Sequence, residues 1–316
     1  MVELTVAKAI DELIPLLQNK QLNAFVGSGI SKGSGLPLWK GLLQNFVDFF
    51  EKITREVYGK LPLPPDLDNL IHDARKRIDA DKGYIEVATT LRNRLLDLGD
   101  EKSIQLDRHF KQWLANQFPN NKPNELHKKI VKTDFPYILT TNYDQLLEAA
   151  CDESGLSLIR DITPIIYTDP AYLAEAIFNR KSAIIYVHGR TDSIPLENFV
   201  FSAQDYAKMI NKHHYMFALA LRTLFFSHST LFLGYGGVDP HVESLIDELT
   251  LSVVSDQKSK LQLPNQYEVI HKDDVDQVLK QYKRLKRTKL IILDNYSDYD
   301  TLLEALQKAS PRLTSL

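Results

Sequence analysis

Glycines and hydroxyl side chains cluster near the N-terminus of this sequence in a pattern typical of a phosphate-binding loop. The stretch from Gly27 to Pro37 reads GSGISKGSGLP and follows the apolar run Leu22–Val26. Glycines let the backbone turn sharply and approach a ligand closely, and amides exposed between a strand and a helix bind phosphate. Lys32 breaks the G-x-G-x-x-G dinucleotide fingerprint, and the spacing is not that of a Walker A loop. A ligand-free loop is the alternative interpretation.

Two polar clusters follow later apolar runs. The segment Thr140–Asp144 reads TTNYD and ends one run, and His188 begins an HGR tripeptide after another. An imidazole titrates near neutral pH, so His188 has the chemistry to take a proton from water or from a sugar hydroxyl. The simpler alternatives are helix capping by the amide and carboxylate of TTNYD, and a packed or capping role for the histidine.

A second glycine cluster, Gly234–Asp239, reads GYGGVD and ends the next apolar run. Small residues there permit close approach of a phosphate or a ribose, and the alternative is a tight turn between a strand and a helix. Asp239 and Pro240 have the residue types of a helix N-cap and a first helical position.

All four clusters follow predicted strands. The apolar runs are continuous rather than alternating, which is typical of a parallel sheet covered on both faces. The runs are Leu22–Val26, Tyr137–Thr141, Ala183–Val187, Thr230–Leu233 and Leu290–Leu293. Amphipathic helical spacing follows several of them, so we expect a doubly wound α/β fold with a mostly parallel sheet. Ligands bind at the carboxyl ends of strands in such sheets, so the clusters together predict a cofactor cleft.

Residues 38–132, between the first and second runs, show mostly helical periodicity and little strand signal, with a proline-rich break at residues 62–65. The segment is too long for a simple crossover connection. We therefore expect a helical subdomain inserted into the α/β core.

Composition excludes several classes of protein. The chain has 316 residues, a formal net charge of −3 and one cysteine, Cys151. A balance this close to neutral provides no bulk field to hold nucleic acid or a membrane surface, so neither is an expected partner. A single cysteine excludes an intramolecular disulfide and a Cys-based zinc site. With acidic residues where a signal peptide would be apolar, the sequence predicts a cytoplasmic protein.

The ordered set GSGIS, GLPLW, TTNYD, VHG and FLGYGGVDP, between Leu22 and Val242, resembles the sirtuin family. It is most similar to the bacterial sirtuin-like branch of NAD-consuming antiphage proteins. The resemblance implies a single sirtuin-like domain over residues 1–316. Within it we expect a Rossmann-like NAD-binding core at 22–37 and 133–316 and the helical insert at 38–132.

The resemblance also implies roles for individual residues. Asn142 would lie by the nicotinamide ribose and His188 would be the general base, as the two catalytic residues. The residues implied to bind NAD are Gly27, Ser28, Gly29, Ile30, Ser31, Pro37, Trp39, Thr141, Asp144, Gly234, Tyr235 and Gly236. Thr141 departs from the family, which has a glutamine there, and Tyr235 stands in a G-T-S element that here reads GYG.

One absence separates the branches of this family. Deacylating sirtuins carry a four-cysteine zinc module after the catalytic histidine, whereas residues 189–233 contain no cysteine. The resemblance therefore favours NAD glycohydrolysis with water as acceptor, without zinc. A protein deacylase and a non-enzymatic module that senses NAD or ADP-ribose are the alternatives.

The resemblance implies a biological role as well. Relatives deplete NAD during phage infection and are silent until triggered, so an effector of abortive infection is expected. Its activation would come from homo-oligomerisation or from a separate regulator such as a HerA-type ATPase. The helical insert is hypothesised to gate the cleft.

Overall fold

A computed structural model describes residues 2–59, 61–98, 103–119, 121–191, 199–210, 214–236, 239, 242–248, 264–276 and 288–314. Within this part, helices surround one sheet. No helix in these ranges is long and apolar enough to cross a membrane.

The described strands form one eight-stranded parallel sheet in the order β1-β8-β7-β6-β2-β3-β5-β4. The strands are β1 (Val2–Leu4), β2 (Leu22–Val26), β3 (Tyr137–Thr140), β4 (Thr163–Ile166), β5 (Ala183–Tyr186), β6 (Ser229–Leu233), β7 (Gln266–His271) and β8 (Thr288–Leu293). Every neighbouring pair is parallel. After β2 the chain adds β3, β4 and β5 on one side of that strand, and then crosses to add β6, β7 and β8 on the other side. A topological switch point therefore lies beside β2.

Helices cover both faces of the sheet and fill the insert. They are α1 (Val6–Gln18), α2 (Ser28–Ser31), α3 (Trp39–Tyr58), α4 (Pro65–Asp79), α5 (Tyr84–Asp97), α6 (Ser103–Asn116), α7 (Glu125–Lys132), α8 (Leu146–Glu153), α9 (Pro170–Phe178), α10 (Ala203–Ile210), α11 (Tyr215–Ser227) and α12 (Ser297–Ala309). Residues 242–248 are also helical. The predicted α/β class with a mostly parallel, Rossmann-like sheet is confirmed.

The five predicted runs all correspond to strands, and three further strands were missed. β1 and β4 are short strands at the two edges of the sheet. β7 reads QYEVIH, and its polar Gln266 and Glu268 obscure the apolar run although both side chains are buried. Tertiary packing, rather than the local sequence pattern, therefore determines that these three segments form strands.

Two apolar clusters lie on opposite faces of the sheet. One joins the strands to α1, α7, α8 and α12 through residues such as Leu13, Ile130 and Leu302. The other joins them to α9 and α11 through Leu173 and Phe217. Alternate residues of β2 supply both clusters, because successive side chains of a strand point to opposite faces.

The insert has an apolar core of its own. Helices α3–α6 pack around residues such as Phe46, Leu91 and Leu114, and Phe201 from the α/β part joins the same cluster. α7, which the sequence analysis placed in the insert, packs instead in the sheet cluster through Ile130. On packing grounds the insert therefore ends before α7.

Candidate active site

A cavity of about 660 Å³, part of it open to solvent, lies where the loops after β2, β3, β5 and β6 meet. The insert closes one side with apolar side chains. The cavity stands at the carboxyl edge of the sheet and beside its switch point, where ligands bind in open α/β folds.

The structure brings most of the predicted site residues together in this cavity. Nine of them line it: Ser28, Ser31, Pro37, Trp39, Thr141, Asn142, Asp144, His188 and Tyr235. Gly27, Gly29, Ile30, Gly234 and Gly236 are outside the lining set. The first group combines amide, carboxylate, hydroxyl and imidazole with aromatic surface.

The glycines of the two loops serve mainly to pack the loops against each other. The amides of Gly27 and Gly29 donate to Leu233 O and Gly234 O, each at 2.9 Å. A Cβ on Gly27 would stand 2.5 Å from Gly234 O, and one on Gly29 would stand 2.8 Å from it. Both amides are therefore already hydrogen-bonded within the protein, and Ser28 and Ser31 are the residues by which this loop reaches the cavity.

Ser31 is the centre of a buried hydrogen-bond network at the cavity wall. Its hydroxyl accepts from Asn142 Nδ2 at 3.1 Å and donates to Asp144 Oδ2 at 2.9 Å. His127 Nε2 lies 3.3 Å from the same oxygen. Since the hydroxyl hydrogen goes to Asp144, a hydrogen on His127 Nε2 completes the set. Nδ1 of the same ring lies 3.3 Å from the backbone nitrogen of Asn124, which donates to it, and 3.0 Å from Asn124 Oδ1.

Burial governs the charges in this network. It raises the pKa of Asp144, and the hydrogen bonds from the Leu146 amide and the Ser31 hydroxyl oppose that rise. Burial also lowers the pKa of His127 to about 4. His127 is therefore neutral at neutral pH, which suits a side chain that positions Ser31 rather than one that carries charge.

His188 enters the cavity from the loop after β5, and only 5% of it is exposed. Its carbonyl accepts the Val200 amide at 3.1 Å. Its Nε2 lies 2.9 Å from Asp239 Oδ2 but is not aligned for a hydrogen bond. The ring stands edge-on to Tyr206, with centroids 5.2 Å apart. A buried ring nitrogen without an aligned hydrogen bond is uncommon in folded proteins.

Six cavity residues were missed as site residues in the sequence analysis: Leu42, Ile85, Phe118, Tyr143, Tyr206 and Asp239. The apolar ones come from the insert or the segment after it and carry no local signal of a site. Asp239 was predicted only as a helix cap. It does cap helical residues 242–248, since its Oδ1 accepts the Val242 amide at 3.0 Å, while its other oxygen faces His188. Pro240 lies outside the described residues.

The arrangement provides side chains that can position a ligand and one proton acceptor. In the described part of the chain, no group of three or more His, Cys, Asp or Glu side chains is placed to hold a metal ion. Asn142 presents an amide and His188 an imidazole to the same space. Such a pair is suited to orienting a hydroxyl-bearing ligand and accepting a proton from it.

A parallel α/β sheet with a polar cavity at the carboxyl ends of its central strands is the architecture of nucleotide-binding α/β proteins. Residues 136–292 match the family described as SIR2-like domain. This part of the chain is therefore similar to SIR2-like domains, in agreement with its motifs.

Curated relatives extend the similarity over most of the chain. Defense-associated sirtuin 2 of Bacillus subtilis is 25% identical over 251 residues, which are 78% of this chain and 21% of that protein. NAD(+) hydrolase ThsA of Cytobacillus dafuensis is 23% identical over 314 residues, 94% of this chain and 55% of that protein. ThsA of Acinetobacter baumannii is 24% identical over 310 residues. The chain thus spans about half or less of the length of these relatives.

Proposed function

We propose that this chain is an NAD glycohydrolase that cleaves NAD to nicotinamide and ADP-ribose. The observation that carries the proposal is the meeting of Asn142 and His188 in one cavity, beside Asp144, at the switch point of the sheet. Relatives that cover most of the chain and are named NAD(+) hydrolase support this assignment of substrate.

Each residue has a role that follows from its position. NAD supplies a glycosidic bond whose leaving group, nicotinamide, departs with the bonding electron pair while water adds to the ribose carbon. Asn142, held by Ser31, orients the ribose hydroxyls and the water. His188 accepts the proton of that water, which contributes about 10²–10⁴-fold in rate. Asp144, fixed by Ser31 and the Leu146 amide, holds the carboxamide of nicotinamide.

The apolar wall of the cavity supports the same reaction. Trp39 and Leu42 from α3, with Ile85 from α5, line the cavity from the insert. A wall of this kind excludes bulk water and strengthens electrostatic interactions within the cavity. It also restricts the attacking nucleophile to the water that Asn142 and His188 hold.

We extend the proposal to defence against phage, because one relative is named Defense-associated sirtuin 2. In this proposal the protein acts in the cytoplasm as an effector of abortive infection and is silent until activated. Activation comes from homo-oligomerisation or from a separate regulator such as a HerA-type ATPase, and the insert gates the cavity.

Purified protein incubated with NAD over a range of protein concentrations tests the chemistry. Nicotinamide release should accompany NAD loss, and Asn142→Ala and His188→Ala should each lower turnover by about 10²-fold or more. Asn69→Ala and His72→Ala replace exposed residues of α4 and are matched controls that should keep wild-type turnover.

Three results would contradict the proposal. Turnover that is unchanged in both site variants would remove Asn142 and His188 from the reaction. Nicotinamide release that requires an acyl-lysine peptide would instead identify a deacylase, and saturable NAD binding without release would identify a sensing module.

A further inference from the structure

Asp239 is fixed in place through both its backbone and its side chain. The Tyr235 hydroxyl accepts the Asp239 amide at 3.2 Å and donates to the Asp239 carbonyl at 3.3 Å. Its Oδ1 accepts the Val242 amide and so caps helical residues 242–248. The remaining oxygen, Oδ2, therefore has a defined position at the cavity wall, and only 6% of the residue is exposed.

Oδ2 faces two side chains from different parts of the fold. Tyr206 on α10 donates its hydroxyl to Oδ2 at 2.9 Å, and His188 Nε2 lies 2.9 Å from it. Burial and the nearby Asp239 carboxylate hold the pKa of Tyr206 well above its ordinary value, so its hydroxyl remains a donor. Tyr143 also lies near His188, with ring centroids 6.5 Å apart, and Asp144 lines the same cavity.

This contact distinguishes between the two neutral forms of the imidazole. A lone pair on His188 Nε2 would face the lone pairs of a carboxylate across 2.9 Å, which is repulsive. A hydrogen on Nε2 makes the same contact attractive, and a small rotation of the ring aligns it as a hydrogen bond. Nδ1 is then the nitrogen that carries the lone pair.

We propose that Asp239 is the positioning residue of the site: it selects the His188 tautomer with hydrogen on Nε2 and stabilises the imidazolium formed when Nδ1 accepts a proton. The catalytic consequence of this inference rests on the proposed function. The carboxylate does not touch the substrate. It acts through His188, and Tyr206 holds it in place.

The sequence offers a matched control for a test of this role. Asp169-Pro170 at the start of α9 repeats the Asp-Pro dipeptide of Asp239, but its aspartate is exposed, makes no side-chain cap hydrogen bond and is not among the residues that line the cavity. Asparagine is as good a helix cap as aspartate. Asp239→Asn therefore keeps the cap and removes the charge, and Asp169→Asn makes the same change of charge outside the cavity lining.

Nitrogen-15 NMR of histidine-labelled protein, with the His188 signal assigned by its loss in His188→Gln, tests the tautomer without any turnover. At a pH where the ring is neutral, the wild type and Asp169→Asn should show hydrogen on Nε2. Asp239→Asn should show a mixture of the two tautomers. Hydrogen on Nδ1 in the wild type, or an unchanged tautomer in Asp239→Asn, overturns the inference.

Kinetics then test the catalytic consequence. Asp239→Asn should lower kcat about 100-fold with KM within about threefold of wild type, because the effect is on proton transfer. Asp169→Asn should match wild type. If Asp239→Asn does not fold, Tyr206→Phe is the second variant. It removes one hydrogen bond to Asp239 Oδ2 and should lower kcat about tenfold. If Tyr206→Phe has the same kcat and the same His188 tautomer as wild type, the inference is overturned. Absence of nicotinamide release by wild type would contradict the proposed function, and the NMR result would still decide the tautomer.

Discussion

Ser31 links the two sides of the cavity through a single hydroxyl group. It contacts an amide and a carboxylate that follow β3 and an imidazole on α7, all of them buried. His127 is held in turn by Asn124, which caps α7 and donates its Nδ2 to Ile30 O at 2.7 Å. The orientation of Asn142 therefore depends on a neutral imidazole on the far side of Ser31.

This dependence predicts a loss of stability in mild acid. The folded-state pKa of His127 is about 4, against 6.5 in its ordinary state. The fold favours the neutral ring, so its contribution to stability is complete above pH 6.5 and declines as the pH falls towards 4, by up to about 3 kcal/mol. Urea unfolding at several pH values measures this loss. Partly buried His228, whose pKa is also lowered, adds to the pH dependence of wild type and variants alike, so a comparison with a His127 variant is needed.

His127→Gln is the comparison for that experiment. Glutamine does not titrate, so the difference in the free energy of unfolding between wild type and variant should shrink as the pH falls from 6.5 to 4. A difference that stays constant over this range would show that His127 is not held neutral by the fold.

At the level of elements, the loops after β2 and β6 form one unit. Their backbones approach so closely that Gly234, with φ of +60°, would place a Cβ 2.7 Å from Ile30 N. This contact sets the distance between Ser31 on one loop and Asp239 on the other. The two glycine clusters are thus a packing feature as much as a ligand-binding feature.

Alanine substitution separates backbone strain from this close packing. Gly155 after α8 has a similar φ of +73° but no atom within 4 Å of a Cβ. Gly155→Ala should therefore cost about 1 kcal/mol of stability, from the left-handed conformation alone. Gly234→Ala should cost about 3 kcal/mol, because overpacking is added. Equal losses in chemical denaturation would show that the two loops separate easily.

At the scale of the whole molecule, the insert is attached to the α/β part by a buried ion pair and an aromatic cluster. Arg92 on α5 pairs with Asp205 on α10, with side chains 14% and 8% exposed. Phe201 beside α10 contacts Trp39, Phe46 and Phe110 of the insert, with ring centroids 5.2–5.3 Å apart. Since Trp39 and Ile85 of the insert line the cavity, this attachment determines how the cavity is closed.

Removal of one partner of the buried pair should loosen the insert. Arg92→Met leaves the Asp205 carboxylate buried without its cation and should cost about 3 kcal/mol. Arg94→Met breaks an exposed pair with Asp66, whose side chains are 38% and 62% exposed, and should change stability by less than about 1 kcal/mol. Hydrogen exchange should rise in α3–α5 more than in the sheet for Arg92→Met. A uniform rise, or none, would contradict an insert held by this pair.

The sequence was sufficient to predict the strands that carry the site. Apolar runs such as Tyr137–Thr140 and Ala183–Tyr186 are buried on both faces, so their hydrophobicity alone marks them as central parallel strands. Chain connectivity then places the polar residues after them at one edge of the sheet. Edge strands β1 and β4 and the polar strand β7 lack that continuous signal.

What the sequence determined by itself is the chemistry available: an amide at 142, a carboxylate at 144 and an imidazole at 188, each directly after a buried strand. Tertiary structure decided which groups surround them. Asp239 faces His188, His127 supports Ser31 and Ile85 closes the cavity across separations of about 50 to 100 residues in the chain. Local patterns encode strand burial and helix caps, whereas these contacts arise only when separate elements pack, because packing depends on all the elements at once.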